Sequence, residues 1–182
     1  MTDVADLLKK IKAAPFADHA QWIGYLCIAW NWLDLEIDAI LFALMGSDDE
    51  SATAAVIYNM DQRDKIRAVL ALGFIKKPSD DWYAELRSVV NEIDNNLRNE
   101  RNRMVHDVWR FDGQDIFRLT KYAKVAHEQA RKLAIIFGEG KPVSPADLSS
   151  LVIRILAAGG HLDELTERYR AAQQRPSPEI AG

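Results

Sequence analysis

The stretch SDDWYAELRSVVNEIDNNLRNERNRMVHDVW, residues Ser79–Trp109, indicates how most of this chain folds. Apolar residues recur in it every three or four positions, which is typical of an amphipathic helix with one buried stripe. Four residues after Leu97 the stripe should continue with another apolar side chain, but the sequence has Arg101 there. The stripe consists of Trp82, Leu86, Val89, Val90, Ile93, Leu97, Met104 and Val108. We call this predicted helix the motif helix, and its polar end is the feature that needs an explanation.

The rest of the chain also has mainly helical periodicity. The sequence predicts a short helix over residues 4–12, ended by Pro15, and a long helix over Asp18–Met45, stopped by Gly46. Shorter helices are predicted after the acidic stretch SDDES, as far as Tyr58, and from Asp61 to the residues before Pro78. A final helix is predicted from Ser144 onwards, with a kink expected at its two adjacent glycines.

A short β-hairpin is predicted directly after the motif helix. The sequence VWRFDGQDIFRLT has an Asp-Gly pair between two apolar segments, which is a common hairpin turn. Residues 122–137 give no clear prediction. The expected fold is therefore all-α, a compact helical bundle with two long central helices and one short hairpin.

Length and composition predict one domain. The chain has 182 residues, of which 48% are hydrophobic and 27% charged, so it is long enough to form its own core. We expect a single helical domain over residues 1–171 and a disordered tail over residues 172–182. The only cysteine, Cys27, is expected to be a buried, unreactive thiol. The first residues have no pattern of a secretory signal, and Asp34, Glu36 and Asp38 interrupt the longest apolar run, so the predicted location is cytoplasmic, with no membrane contact.

Charge is unevenly distributed along the sequence. The formal net charge is only −4, which excludes a general polycation. No basic residue occurs between Lys12 and Arg63, whereas residues 98–132 hold nine basic and five acidic residues. A phosphate polymer would prefer this second segment. Scattered surface charges are the alternative explanation, and charge alone does not decide between them.

Beside Arg101 runs a second line of polar residues in the motif helix. Its members follow one another at spacings of four, three and four residues, so they share one helical face: Asn95, Asn99, Asn102 and His106. Each residue alone has a structural explanation, because asparagines can face water, an arginine stem can be half-buried and a histidine suits a helix end. Asparagine is a poor helix former, however, so the whole ridge weakens the helix unless it has another use.

The string Arg101, Asn102 and His106 resembles the ribonuclease motif of HEPN domains. That motif has an arginine, a polar residue, three variable residues and a histidine near the end of a helix in a helical bundle. The resemblance implies a metal-independent endoribonuclease, with RNA as partner and no cofactor. It also implies a homodimer in which two motif helices meet, and a role as a toxin or antiviral effector with an antitoxin or inhibitor protein as a further partner. Val108 stands where some HEPN toxins carry a modified tyrosine, so that form of control is not expected.

The residue types suit this chemistry independently. An imidazole can accept or donate a proton near neutral pH, so His106 is the candidate acid or base. A guanidinium binds phosphate bidentately and stabilises developing negative charge, which fits Arg101. Asn102 would orient the imidazole or contact the ribose. Candidate RNA-binding residues are Arg98, Arg103, Asn99 and Trp109, the last by stacking on a base, although core packing is an alternative for its ring.

No metal site is predicted, because His19, His106, His127 and His161 are far apart in the sequence. Two alternatives to catalysis stay open. One is a non-catalytic HEPN-like helical dimer that binds a protein, a nucleotide or RNA. The other is a helical dimer in which the polar ridge is only a structural seam.

Overall fold

The computed structural model describes residues 5, 8–9, 12–13, 16–112, 115–119, 121–125, 133–137 and 140–174. The all-α prediction is confirmed, with a short hairpin after the motif helix. The helices are α1 (Phe16–Met45), α2 (Glu50–Tyr58), α3 (Gln62–Lys76), α4 (Asp80–Glu92), a π-helical turn (Ile93–Leu97), α5 (Arg98–His106) and α6 (Pro145–Gln173). Most of the predicted helix at residues 4–12 lies outside the described residues. In the described part of the chain, no helix is both long and apolar enough to cross a membrane.

Side-chain caps explain where several helices begin. The carboxylate of Asp49 accepts a hydrogen bond from the Ala52 amide at the start of α2, and that of Asp61 accepts one from Asp64 at the start of α3. These bonds satisfy amide groups that have no partner within the helix. Helix α1 ends at Gly46, whose φ of 56° is readily adopted only by a residue without a side chain.

The motif helix is built from α4, the π-helical turn and α5, which follow one another without a gap in the sequence. Ser79 caps it through the amide of Trp82. The predicted buried stripe is confirmed as far as Leu97, where the side chain is fully buried. The π-helical turn, which contains an Asn-Asn pair, was not predicted, and turns of this kind occur often near functional sites.

Strands follow the motif helix directly. Strand β1 (Val108–Asp112) pairs antiparallel with β2 (Asp115–Leu119), in the register Val108↔Leu119 and Asp112↔Asp115, so the predicted hairpin is confirmed. Strand β5 (Lys141–Pro142) pairs with β2 to complete a three-stranded sheet. The predicted Asp-Gly turn falls partly on residues 113–114, which lie outside the described residues.

A second antiparallel pair forms in the region that the sequence left unassigned. Strand β3 (Lys121–Val125) pairs with β4 (Leu133–Phe137). Extended backbone rather than helix therefore accounts for the described parts of residues 122–137. Apolar and β-branched residues at this spacing fit either structure, so periodicity alone did not separate them.

The chain divides into two compact units. The mixed unit consists of Met1–Ile28 with Asn99–Ile153 and contains the strands; the helical unit consists of Ala29–Arg98 with Arg154–Gly182. Helices α1 and α6 and the motif helix each contribute residues to both units, and the single domain predicted over residues 1–171 stays a prediction. Helix α6 continues unbroken through the two glycines to Gln173, so the first residues of the predicted disordered tail are helical, while residues 175–182 lie outside the described residues.

The helical unit has a core of large apolar side chains. The indole of Trp82 is buried and donates a hydrogen bond to the carbonyl oxygen of Leu165 at 3.0 Å, which joins α4 to α6. Gly159 lies directly against the ring of Trp32, because a β-carbon placed on this glycine would be 2.3 Å from the indole Cζ3 atom. This glycine therefore permits a close approach of α6 and α1 that no other residue would allow.

One charged cluster among these helices is centred on a buried lysine. The ammonium of Lys65 lies 2.6 Å from an Asp38 carboxylate oxygen and 3.2 Å from one of Asp34, and only 7% of its side chain is exposed. Burial lowers the pKa of Lys65, but the hydrogen bonds and charges of the two carboxylates outweigh it, so that pKa is raised. The pKa of Asp38 is also raised, because burial outweighs the help from Lys65 and Asp34 repels it. One ammonium thus neutralises only one of two carboxylates.

Candidate functional site

The polar ridge of the motif helix faces solvent. Asn95, Asn99, Asn102 and His106 are all exposed, as the spacing predicted. Helix α5 contains no fully buried residue, and Arg101, at the position where the apolar stripe should continue, is half-buried. The first half of the motif helix therefore buries apolar side chains in a core, whereas its end exposes polar side chains to solvent.

The three residues of the motif come together. Arg101 Nη1 donates a hydrogen bond to Asn102 Oδ1 at 3.0 Å, and the same nitrogen lies 3.4 Å from His106 Nε2. Asn102 and His106 are four residues apart and share a helical face. The long arginine side chain reaches them from the neighbouring position, so one guanidinium nitrogen contacts both partners.

The direction of the contact between Arg101 and His106 follows from their chemistry. A guanidinium has only donors, so His106 Nε2 must be the acceptor and must carry a lone pair. In that hydrogen bond the ring proton of the imidazole is on Nδ1. A lone pair on an imidazole nitrogen can act as a general base once the guanidinium no longer occupies it.

A surface depression of about 500 Å³ contains part of this ridge. It lies within the mixed unit and is lined by Asn99, Asn102, Arg103, His106 and Asp107. Its walls combine amide, imidazole and guanidinium groups with one carboxylate. Such a set can bind a phosphodiester and donate or accept hydrogen bonds at a nucleobase.

Asp107 brings a negative charge to this depression. Its carboxylate lies 3.7 Å from Nε of Arg118 on β2, and their side chains are 13% and 9% exposed. A buried arginine thus offsets much of the repulsion that Asp107 would exert on a phosphate. Arg118 was counted in the sequence only as one of many basic residues, because nothing there indicates that β2 brings it beside Asp107.

Two predicted RNA-binding residues, Arg98 and Trp109, make contacts within the protein. Arg98 forms an ion pair with Asp94 at 2.7 Å and only 12% of its side chain is exposed, which does not favour a role as phosphate ligand. Trp109 is half-buried, and its indole N–H donates to the carbonyl oxygen of Met104 at 2.9 Å. Core packing, the alternative recognised for this ring, describes it better than stacking on a base.

His19 is a buried neighbour of Trp109 and was not among the predicted site residues. It is 5% exposed, its Nε2 donates to the carbonyl oxygen of Val143 at 2.7 Å, and its ring packs edge-on against Trp109 with centroids 6.1 Å apart. Cys27, predicted to be buried, is half-buried.

Of the seven predicted site residues, five are exposed or gathered at the end of the motif helix: Arg101, Asn102, His106, Asn99 and Arg103.

Comparison with models of protein families, with curated proteins and with solved structures found no match for this chain.

Proposed function

We propose that this chain is a metal-independent HEPN-type endoribonuclease, with Arg101, Asn102 and His106 as its catalytic residues. The observation that carries the proposal is the 3.4 Å contact between Arg101 Nη1 and His106 Nε2 at an exposed helix end. A permanent cation and a proton acceptor are the two groups that cleavage of RNA through its own 2′-hydroxyl requires. The basic balance of residues 98–132 supports RNA as the ligand.

In the proposed reaction, His106 Nε2 takes the proton of the ribose 2′-hydroxyl while O2′ attacks phosphorus. The bond between O2′ and phosphorus forms and the bond between phosphorus and O5′ breaks, with Arg101 bound to the non-bridging oxygens. The departing O5′ takes a proton from the imidazolium of a second copy of the chain, which faces the first in the proposed homodimer. The products are a 2′,3′-cyclic phosphate and a 5′-hydroxyl end.

Substrate binding would change the role of Arg101. Without a ligand its guanidinium donates toward His106 Nε2, so the base is partly occupied. A phosphate oxygen is a stronger acceptor for a guanidinium than a neutral imidazole is. RNA would therefore draw Arg101 to the phosphate and free the lone pair that removes the proton. An enzyme that cuts RNA in its own cell needs control, which supports an inhibitor protein as a further partner.

The test is incubation of the purified protein with RNA in EDTA, followed by analysis of the fragment ends. We expect cleavage by the wild type, cyclic-phosphate ends, and a loss of about 10²- to 10⁴-fold in His106→Ala, the range typical of a general acid or base. Arg87→Ala is a matched control, since Arg87 is exposed on α4, away from the motif residues in the sequence. Cleavage by His106→Ala at the wild-type rate would refute the proposal.

A non-catalytic HEPN-like dimer is the competing proposal. The carboxylate of Asp107 in the depression favours it, because a negative charge weakens phosphate binding even when Arg118 offsets it. This proposal expects Arg101→Ala to weaken binding of a protein, nucleotide or RNA, while no cyclic phosphate forms with any variant.

A further inference from the structure

The indole of Trp109 caps the end of the motif helix. Helix α5 ends at His106, so its last carbonyl groups, from Met104 onwards, have no amide donor from a following helical turn. The carbonyl of Met104 is one of them, and it accepts the Trp109 N–H at 2.9 Å. Because Trp109 lies in β1, this bond ties the start of the strand back to the last turn of the helix.

The ring of Trp109 is held in turn by His19. The His19 ring meets it edge-on at 6.1 Å with an angle of 68° between the planes, an arrangement that aromatic rings favour. His19 is fixed by its own hydrogen bond to the carbonyl oxygen of Val143, two residues before the start of α6. Three segments of the mixed unit, α1, β1 and the residues before α6, therefore converge on the helix end.

His106 is the last residue of the helical turn that the hydrogen bond from Trp109 stabilises. It lies between Met104, whose carbonyl is capped, and Trp109, which caps it. Helix ends fray when their carbonyl groups lack partners. The contact of Arg101 with His106 spans five residues, so it exists only while the last turn stays helical.

We propose that Trp109 and His19 are positioning residues that hold the last turn of the motif helix, and with it the His106 imidazole, in the geometry needed for catalysis. The catalytic part of this inference rests on the proposed function, whereas the structural part does not. Neither residue touches substrate in this account. Their effect passes through the helix end to His106.

The experiment compares Trp109→Phe, which keeps a ring but removes the N–H donor, with Trp22→Phe as matched control. Trp22 is half-buried in the same unit, and its ring packs on Tyr25 instead. The first measurement is hydrogen exchange, by NMR, of the Asp107 amide, which donates to the Arg103 carbonyl oxygen at 3.2 Å. We expect exchange to be about three- to tenfold faster in Trp109→Phe, the change that loss of one net hydrogen bond produces, and unchanged in Trp22→Phe.

The second measurement is the cleavage rate. We expect kcat to fall about three- to tenfold in Trp109→Phe while KM stays within about twofold, because substrate contacts are intact and only the alignment of His106 is lost. His19→Gln keeps a donor for the Val143 carbonyl oxygen and should retain most of kcat, whereas His19→Leu should lower it. The two His19 variants provide the test if Trp109→Phe fails to fold.

The outcomes separate this inference from the proposed function. If the wild type cuts no RNA, the proposed function fails, and the exchange measurement alone decides whether Trp109 holds the helix end. Unchanged exchange in Trp109→Phe overturns the inference whatever the activity. Faster exchange with an unchanged kcat in an active enzyme overturns the positioning role as well.

Discussion

Arg101 Nη1 lies 3.4 Å from His106 Nε2, although the two residues are five positions apart on one helix. Side chains at that spacing do not share a helical face, in contrast to those three or four positions apart. They meet because the arginine side chain bends along the helix surface, where it also contacts Asn102. The cation and the base are therefore adjacent before any substrate is present.

This adjacency predicts that lysine will not replace Arg101. A lysine supplies one charge without the planar pair of donors that binds two phosphate oxygens. We expect Arg101→Lys to lower kcat/KM of RNA cleavage by about 10²- to 10³-fold, as loss of a donor to the developing negative charge does. Steady-state kinetics on a short RNA would measure this, with Arg87→Lys as control. Near-normal rates for Arg101→Lys would mean that only charge matters at this position.

The two adjacent glycines of α6 should respond oppositely to alanine. In Gly159→Ala the new methyl group would meet the Trp32 ring at 2.3 Å, so we expect a loss of about 1 to 3 kcal/mol in the free energy of unfolding. Around Gly160 no atom lies within 4 Å of an added β-carbon, so Gly160→Ala should stabilise the helix by about 0.5 to 1 kcal/mol. Urea denaturation would measure both. Equal effects of the two substitutions would contradict the close approach at Trp32.

The buried cluster around Lys65 predicts a pH-dependent loss of stability. Lys65→Met leaves Asp38 and the more exposed Asp34 without their cation, and removing one partner of a buried pair such as Lys65 and Asp38 costs about 3 to 5 kcal/mol. We expect that loss near neutral pH and a much smaller one in acid, because the raised pKa of Asp38 means that its carboxyl group loses its charge early as the pH falls. Asp38→Asn in the same chain should restore most of the stability.

The raised pKa values of Asp38 and Lys65 determine how the stability of the protein changes with pH. The pKa of Asp38 is raised above 3.8, so its contribution to stability is present below that pH and is lost as the pH rises through the folded-state pKa. The pKa of Lys65 is raised above 10.5, so its contribution holds below that pH and is lost in stronger alkali. Wild-type protein should therefore show an alkaline loss of stability that Lys65→Met lacks. Parallel pH curves for the two proteins would refute the account of the cluster.

The start of α6 predicts a smaller effect with the opposite pH dependence. Ser144 and Asp147 bond each other reciprocally, at 2.8 Å from the serine N–H and hydroxyl to the carboxylate and at 3.2 Å from the Asp147 amide to the hydroxyl. The backbone and hydroxyl hydrogen bonds from Ser144 lower the pKa of Asp147 below 3.8, so this contribution is present above that pH and is lost as the pH falls through the folded-state pKa.

We therefore expect Ser144→Ala to cost about 0.5 to 2 kcal/mol at neutral pH, and less in strong acid. Ser150→Ala, at an exposed position inside the same helix, should change the stability by less than about 0.5 kcal/mol. Thermal unfolding at two pH values would measure these differences. The cap assignment fails if both serines respond alike.

The helices were predictable because their signals are local. Asp49, Asp61 and Ser79 cap helices whose periodicity was visible in the sequence, and Gly46 ends α1 as expected. Strands β3 and β4 were missed because pairing between segments is not a local property.

Only the part of the candidate site that depends on spacing within one helix was predictable. The spacing within one helix placed Asn102 and His106 on one face, and this is confirmed. The partners of Trp109 and Asp107 come from positions that spacing along one helix face does not specify, namely a carbonyl group of the helix end and a strand after the motif helix. The ion pair of Arg98 with Asp94, in contrast, has the four-residue spacing of a helix face, so the sequence did carry a signal that this arginine is already paired.

The most direct test of the central claim uses two RNA oligonucleotides that differ only by a 2′-deoxyribose at the cleaved position. If His106 removes the 2′-hydroxyl proton, the wild-type protein in EDTA will cut the all-ribose strand, leave a 2′,3′-cyclic phosphate, and leave the deoxy-substituted strand intact at that bond. Cutting of both strands at equal rates, or of neither, would contradict it.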